Sequence, residues 1–136
     1  MKALTISGSF GIENLRLEER PDPEPKPGEV LLKMSAVSLN YRDLLMVKGQ
    51  YNPRQPLPLV PASHGVGKVV AVGPGVTRVR VGDRVCPIFA TGWHSGEPER
   101  DKLKTTLGGP LDGTLTELMT LSEDNVVPLH KYLSNL

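Results

Sequence analysis

Between Ala36 and Val85 the chain carries a cap-and-stop helix signal, an extended stretch with His64 and two glycine-punctuated reversals, and this order constrains the fold most. Asn40 is a good helix N-cap, and Asp43 stands three residues on, where its carboxylate can reach back to the cap's own N–H in a capping box. Leu39 and Leu44 are spaced as the matching hydrophobic staple. Gly49 is the natural stop, so the helix holds about two turns. A helix that short does not stand alone in water and must dock on a larger body.

That body reads as β. Fourteen Gly and 13 Pro, with 38% hydrophobic residues, describe many short strands joined by turns. Ala3 to Ser7 and Leu15 to Glu19 are expected strands, followed by a stiff connector at Pro21, Pro23, Pro25 and Pro27 that cannot join a central ladder. From Glu29 to Ser38 the chain alternates, with Val30, Leu32, Met34 and Ala36 on one face. Gly67 to Val72 is another β-branched run. Gly73-Pro74-Gly75 suits a type II turn, and Val81 to Arg84 a second reversal. A last strand pair is expected at Thr114 to Leu121 and Val126 to Leu129. Ala90 to Gly113 is long for a connector, a length usually functional or mobile, with Arg100, Lys102 and Lys104 on solvated loop.

With 16 basic and 15 acidic residues, net charge +1, the chain offers no electrostatic case for nucleic acid or an anionic membrane. The N-terminal run is too interrupted for a signal-peptide core and no apolar run approaches a membrane span, so a cytoplasmic protein is expected. The single cysteine, Cys86, excludes an intramolecular disulfide and a multi-cysteine zinc site, and its R-V-C-P-I-F setting reads as a small buried residue of a strand. The 136 residues are the size of one domain, 1–136. Ser134 could cap a helix for which no residues follow, so the chain reads as the front part of something longer.

Five segments now carry a resemblance: A-V-S-L-N-Y-R-D (Ala36 to Asp43), G-Q-Y (Gly49 to Tyr51), P-A-S-H-G-V-G-K-V-V-A-V-G-P-G-V (Pro61 to Val76), V-G-D-R-V (Val81 to Val85) and G-G-P-L-D-G-T-L-T-E (Gly108 to Glu117). In order and spacing they resemble the N-terminal catalytic domain of the medium-chain dehydrogenase/reductase superfamily, the alcohol dehydrogenases and quinone oxidoreductases. The resemblance implies a mainly β fold, a GroES-like, partly open β-barrel with short helices. The family's Rossmann cofactor domain lies after it and is absent from this chain.

Two departures matter. The position of Asn40 is a cysteine zinc ligand in zinc-dependent relatives, and that of Ser63 is the histidine of a G-H-E motif; His64 stands one place later. His64 alone cannot supply the three protein ligands of a catalytic zinc, and a one-residue shift in extended chain turns a side chain to the opposite face. The family's structural zinc lobe, built on closely spaced cysteines, is missing too. The resemblance therefore points to the zinc-independent, quinone-reductase-like branch, with NAD(P)(H) as cofactor of the longer parent and no zinc. Hydrogen bonds then polarise a carbonyl or quinone substrate. Gly65-Val66-Gly67 and Gly73-Pro74-Gly75 lack the third glycine and the strand-to-helix setting of a dinucleotide loop. This stretch by itself is expected to be inactive and to bind no dinucleotide tightly.

The resemblance places Asn40, Tyr41, Tyr51 and His64 as catalytic candidates, Asn40 and Asp43 beside the cofactor, and Trp93 on a substrate wall. Each has a structural alternative: the cap explains Asn40 and Asp43, Tyr41 could pack as core, and a lone histidine beside glycine is often a satisfied structural group. A phenol at Tyr51 suits hydrogen-bond donation better than proton exchange at neutral pH. His94 and His130 have no partner visible from sequence. The parent is expected to dimerise through the absent domain. A free GroES-like binding or scaffold module is the competing reading; a strand and G-x-G-x-x-G after Leu136 would favour the enzyme.

Overall fold

The computed structural model describes residues 1–135. Seven strands form two sheets: β1 (Lys2–Ile6), β2 (Leu15–Glu19), β3 (Glu29–Ser38), β4 (His64–Val72), β5 (Arg84–Pro87), β6 (Leu118–Ser122) and β7 (Val126–Pro128). Two short helices accompany them, α1 (Tyr41–Val47) and α2 (Arg100–Leu103). The main sheet runs β6-β3-β4-β5-β7, with antiparallel neighbours throughout. β1 and β2 form a separate ribbon, tied on by the bridges Ala3 to Thr116 and Ile6 to Leu59. No ladder joins β6 to β7 among the described residues, so the barrel is partly open.

The long β3–β4 pair gives the sheet its curl. Two register shifts interrupt it, between Leu31 and Leu32 and between Met34 and Ala36, and such bulges bend a strand and increase its twist. Before the second shift the alternation holds, burying Val30 and Leu32 completely. They pack with Val69, Val79, Val85, Leu107, Met119, Leu121 and Val126 in the main core. A second cluster, Ile6, Met46, Val47 and Leu59, lies under α1 with Phe10 packed against it. Met46 and Val47 thus dock the helix that could not stand alone.

The cap and stop of α1 form as read. Asp43 accepts from the Asn40 N–H at 2.8 Å, and the Asp43 N–H returns to Asn40. At the other end Gly49 takes φ 70°, its N–H donates to Met46 at 3.0 Å and that of Gln50 to Leu45 at 2.8 Å, the two bonds of a Schellman motif. A Cβ on Gly49 would also lie 2.6 Å from the Phe10 ring. Gly49→Ala is therefore expected to cost about 1–3 kcal/mol, read as a lower urea midpoint with unchanged slope.

Several expectations are corrected. Leu39 and Leu44 stay 73% and 38% exposed, so the staple buries little. β4 begins at His64 rather than Gly67, because its first residues pair with the far end of β3. The expected strand from Thr114 starts only at Leu118; the residues before it bond to β1 and to the Val60–Ala62 strap. Arg100 and Lys102 lie on α2 rather than on loop, and Lys102 and Lys104 pair with Glu99 and Asp101 at 3.0 and 2.8 Å. Those pairs are exposed and add little stability.

Candidate functional site

Ser38 ends β3 directly opposite His64, the first residue of β4, and this register brings Asn40 beside the histidine. Just before β4 the chain turns at Ala62, which adopts φ 68°. Thr114 steadies the turn: its N–H donates to the Ala62 carbonyl at 3.0 Å and its hydroxyl to the His64 carbonyl at 3.1 Å. Ser63 is buried and His64 exposed, as residues on alternate faces should be. The imidazole nevertheless folds back, its Nδ1 lying 2.7 Å from Ser63 Oγ and 3.3 Å from Asn40 Nδ2. The two positions that the resemblance marks as lost zinc ligands therefore both hold the histidine.

His64 stacks on Phe89, with ring centroids 5.9 Å apart and 13° between planes. Beyond Phe89 comes the Arg42 guanidinium, 4.9 Å from that ring's centroid and 4.6 Å from that of Tyr51. Tyr51, Arg42, Phe89 and His64 thus form one continuous row, with the cation between two aromatic faces, an arrangement favourable to both. Arg42 also donates to the carbonyls of Leu107 and Gly109 at 3.1 and 2.6 Å, which ties α1 to the loop before β6. Sequence reasoning missed Arg42 and Phe89, and marked Ser63 only as the place of a lost zinc ligand. Arg42 lies inside the quoted N-Y-R-D motif and Phe89 ends the R-V-C-P-I-F run, but nothing local shows that they meet.

The remaining candidates separate. Tyr41 projects from the first turn of α1, 75% exposed, and Tyr51 is 53% exposed on the row. Asp43 is only 5% exposed, and its one bonded oxygen serves the cap, so it acts by holding Asn40. Its second oxygen is buried without a hydrogen-bond partner. Trp93 lies in a different depression, with Phe89 and His94, and its indole N–H donates to Gly96. His94 meets Asn125 at 2.7 Å, and His130 stacks on Tyr132.

His64 lines a cavity of about 460 Å³ whose other walls include Val37, Val66, Cys86, Pro87 and Leu129. They are largely apolar, as small-molecule sites generally are. Burial pushes the Cys86 thiol above its ordinary range, only partly opposed by Arg84. Less thiolate is then present at any given pH, so iodoacetamide at pH 8 should alkylate Cys86 more slowly than a cysteine in an unfolded peptide, as followed by mass spectrometry.

No three His, Cys, Asp or Glu side chains come together among the described residues. The group at the cavity is an amide, a hydroxyl and one imidazole, a poor donor set for zinc, which favours thiolate, imidazole and carboxylate. Residues 26–131 match the family model of the alcohol dehydrogenase GroES-like domain. The chain belongs to that family. It is 39% identical over 125 residues to a zinc-type alcohol dehydrogenase-like protein of Schizosaccharomyces pombe, covering 91% of this chain and 36% of the relative. It is 33% identical over 133 residues to the acryloyl-coenzyme A reductase of Metallosphaera sedula, covering 93% and 39%. The crystal structure of an NAD-dependent alcohol dehydrogenase superposes with a TM-score of 0.82 at 36% identity, over 99% of this chain and 41% of that one. The chain thus spans somewhat more than a third of the length of these relatives. It is a medium-chain dehydrogenase/reductase domain by sequence and by fold. No helix among the described residues is long and apolar enough to cross a membrane.

Proposed function

We propose that this domain forms the substrate side of the cleft in a zinc-independent, NAD(P)-dependent oxidoreductase that moves hydride to or from a carbonyl, enone or quinone. The observation that carries the reading is the joined Asn40, Ser63 and His64 group at an apolar cavity, where one imidazole is accompanied by an amide and a hydroxyl instead of further zinc ligands. The named activities of similar proteins, an alcohol dehydrogenase and an acryloyl-coenzyme A reductase, support the class of chemistry. When bound, the nicotinamide supplies or takes the hydride.

The chain's own residues do the rest. Asn40, held in place by Asp43, is a polar group that fits a carboxamide, which is the basis for placing the cofactor against this cap. His64 is the donor for a substrate oxygen that gains charge as hydride arrives, while Tyr51, at the far end of the row, and the exposed Tyr41 would meet other parts of the substrate or cofactor. Apolar walls would strengthen that bond once a bound substrate displaces water from the cavity. Trp93 belongs to another depression, whose Phe89 stacks on His64, which would make it a wall for a larger substrate.

A protein carrying this domain together with a dinucleotide domain should oxidise NADH or NADPH with a quinone, enone or aldehyde. Purified without added zinc, it should hold far less than one zinc per chain. If it neither binds nor oxidises either nucleotide, the oxidoreductase reading fails. Stoichiometric zinc lost on His64→Ala would refute zinc independence. The 136 residues alone are expected to bind neither nucleotide tightly.

A further inference from the structure

We infer that Asn40 and Ser63 select, of the two neutral tautomers of His64, the one protonated on Nε2, so that the histidine presents an N–H donor for a substrate oxygen in the cavity. The donor role rests on the oxidoreductase reading; the choice of tautomer does not.

Hydrogen-bond directions carry the inference. Asn40 Nδ2 lies 3.2 Å from the Ser38 carbonyl oxygen, which can only accept, so the group placed there is the amide NH₂. The same nitrogen lies 3.3 Å from His64 Nδ1, and its second hydrogen is the one available on that side. A proton on Nδ1 would set two donors against each other, so Nδ1 keeps its lone pair. Ser63 Oγ, 2.7 Å from Nδ1, then donates its hydroxyl hydrogen. Ser63 is 1% exposed, which removes the competition of water for that hydroxyl. With Nδ1 accepting, the ring proton sits on Nε2, which has no hydrogen-bond partner among the described residues although the imidazole lines the cavity. Stacking on Phe89 and the bond from Thr114 to the His64 carbonyl keep the ring in place. Asn40 and Ser63 are thus positioning residues and His64 the donor.

The ring nitrogens of ¹⁵N-histidine-labelled protein report the tautomer directly. At neutral pH His64 should show Nδ1 at a pyridine-type shift and Nε2 at a pyrrole-type shift, separated more widely than in the exposed His130. Asn40→Asp keeps a good N-cap but removes the donor facing Nδ1 and sets a carboxylate there, so Nδ1 should gain a proton and its signal move to a pyrrole-type shift. Ser63→Ala should move both toward the averaged position of a free imidazole. A wild-type His64 with averaged or reversed shifts, or an Asn40→Asp variant with unchanged ones, overturns the tautomer assignment. Titration with 2-cyclohexenone should then move Nε2 and its proton in the wild type. An unmoved Nε2 overturns the donor role while leaving nucleotide oxidation as the separate test of the enzyme class.

Discussion

Gly113→Ala is expected to lower the unfolding free energy by about 3 kcal/mol or more, at the upper end of what one added methyl group costs in a packed interior. A Cβ at this buried position would lie 1.9 Å from the Ala62 carbonyl oxygen and 2.5 Å from that of Pro61. Both contacts are backbone, so no side chain can swing away. The strap they belong to is held in turn: the Gly113 N–H donates to Val60 at 2.7 Å and the Thr114 N–H to Ala62 at 3.0 Å. Ala62 already stands at φ 68°, where a non-glycine residue has little room to adjust. The methyl group is accommodated only by pushing the strap outward, and Ser63 and His64 move with it. Urea unfolding followed by circular dichroism gives the loss, and the ring shifts of His64 should change in whatever folded population remains. Gly75→Ala is the control: its φ is +83° but nothing lies within 4 Å of the new Cβ, so about 1 kcal/mol of backbone strain is expected. Equal costs at the two positions would show that close packing of the strap is not what makes Gly113 necessary.

Arg42→Ala should cost about 3–4 kcal/mol by a different route. Its guanidinium bonds the carbonyls of Leu107 and Gly109, both in a buried stretch, and a bond from a charged donor is worth about 1.5–3 kcal/mol. Truncation leaves those carbonyls without their charged donor and opens a gap between the Tyr51 and Phe89 rings. By contrast the ion pairs of Lys102 and Lys104 are exposed, and such pairs contribute about 0–1 kcal/mol each. The planar fork is what reaches two carbonyls at once while lying flat between two rings, so Arg42→Lys should recover less than half of the loss. A lysine variant as stable as the parent would show that charge alone is sufficient. Loss of the row also frees Phe89, and with it one side of the His64 ring, so the damage should reach the cavity.

The division between what was legible in the chain and what was not follows the range of the interactions. Asn40, Asp43 and Gly49 define α1 through contacts three or four residues apart, and these can be read from a linear string because helical geometry sets the spacing. The alternation of β3 and the reversals at Gly73 to Gly75 and at Gly82 are local in the same sense, and the ordered motifs named the family on top of them. The staple failed because Leu39 and Leu44 needed a neighbouring surface to cover them, and spacing along a helix says nothing about that surface. Ser63 and His64 are adjacent in sequence, but the contacts that assemble the rest of the site are long-range: Asn40 meets His64 across 24 positions, and Arg42 reaches Leu107 across 65. Trp93, expected on a substrate wall, lines a depression with Phe89 and His94, and which depression it lines is set by the fold of the long loop rather than by its own neighbours in sequence. By itself, then, the sequence determined the short helix with its caps, the β-rich domain and the family lineage. Only the tertiary structure decided that Ser63 and Asn40 hold one imidazole, because β-strand register sets which side chains meet, and a shift of one residue would send each to the opposite face.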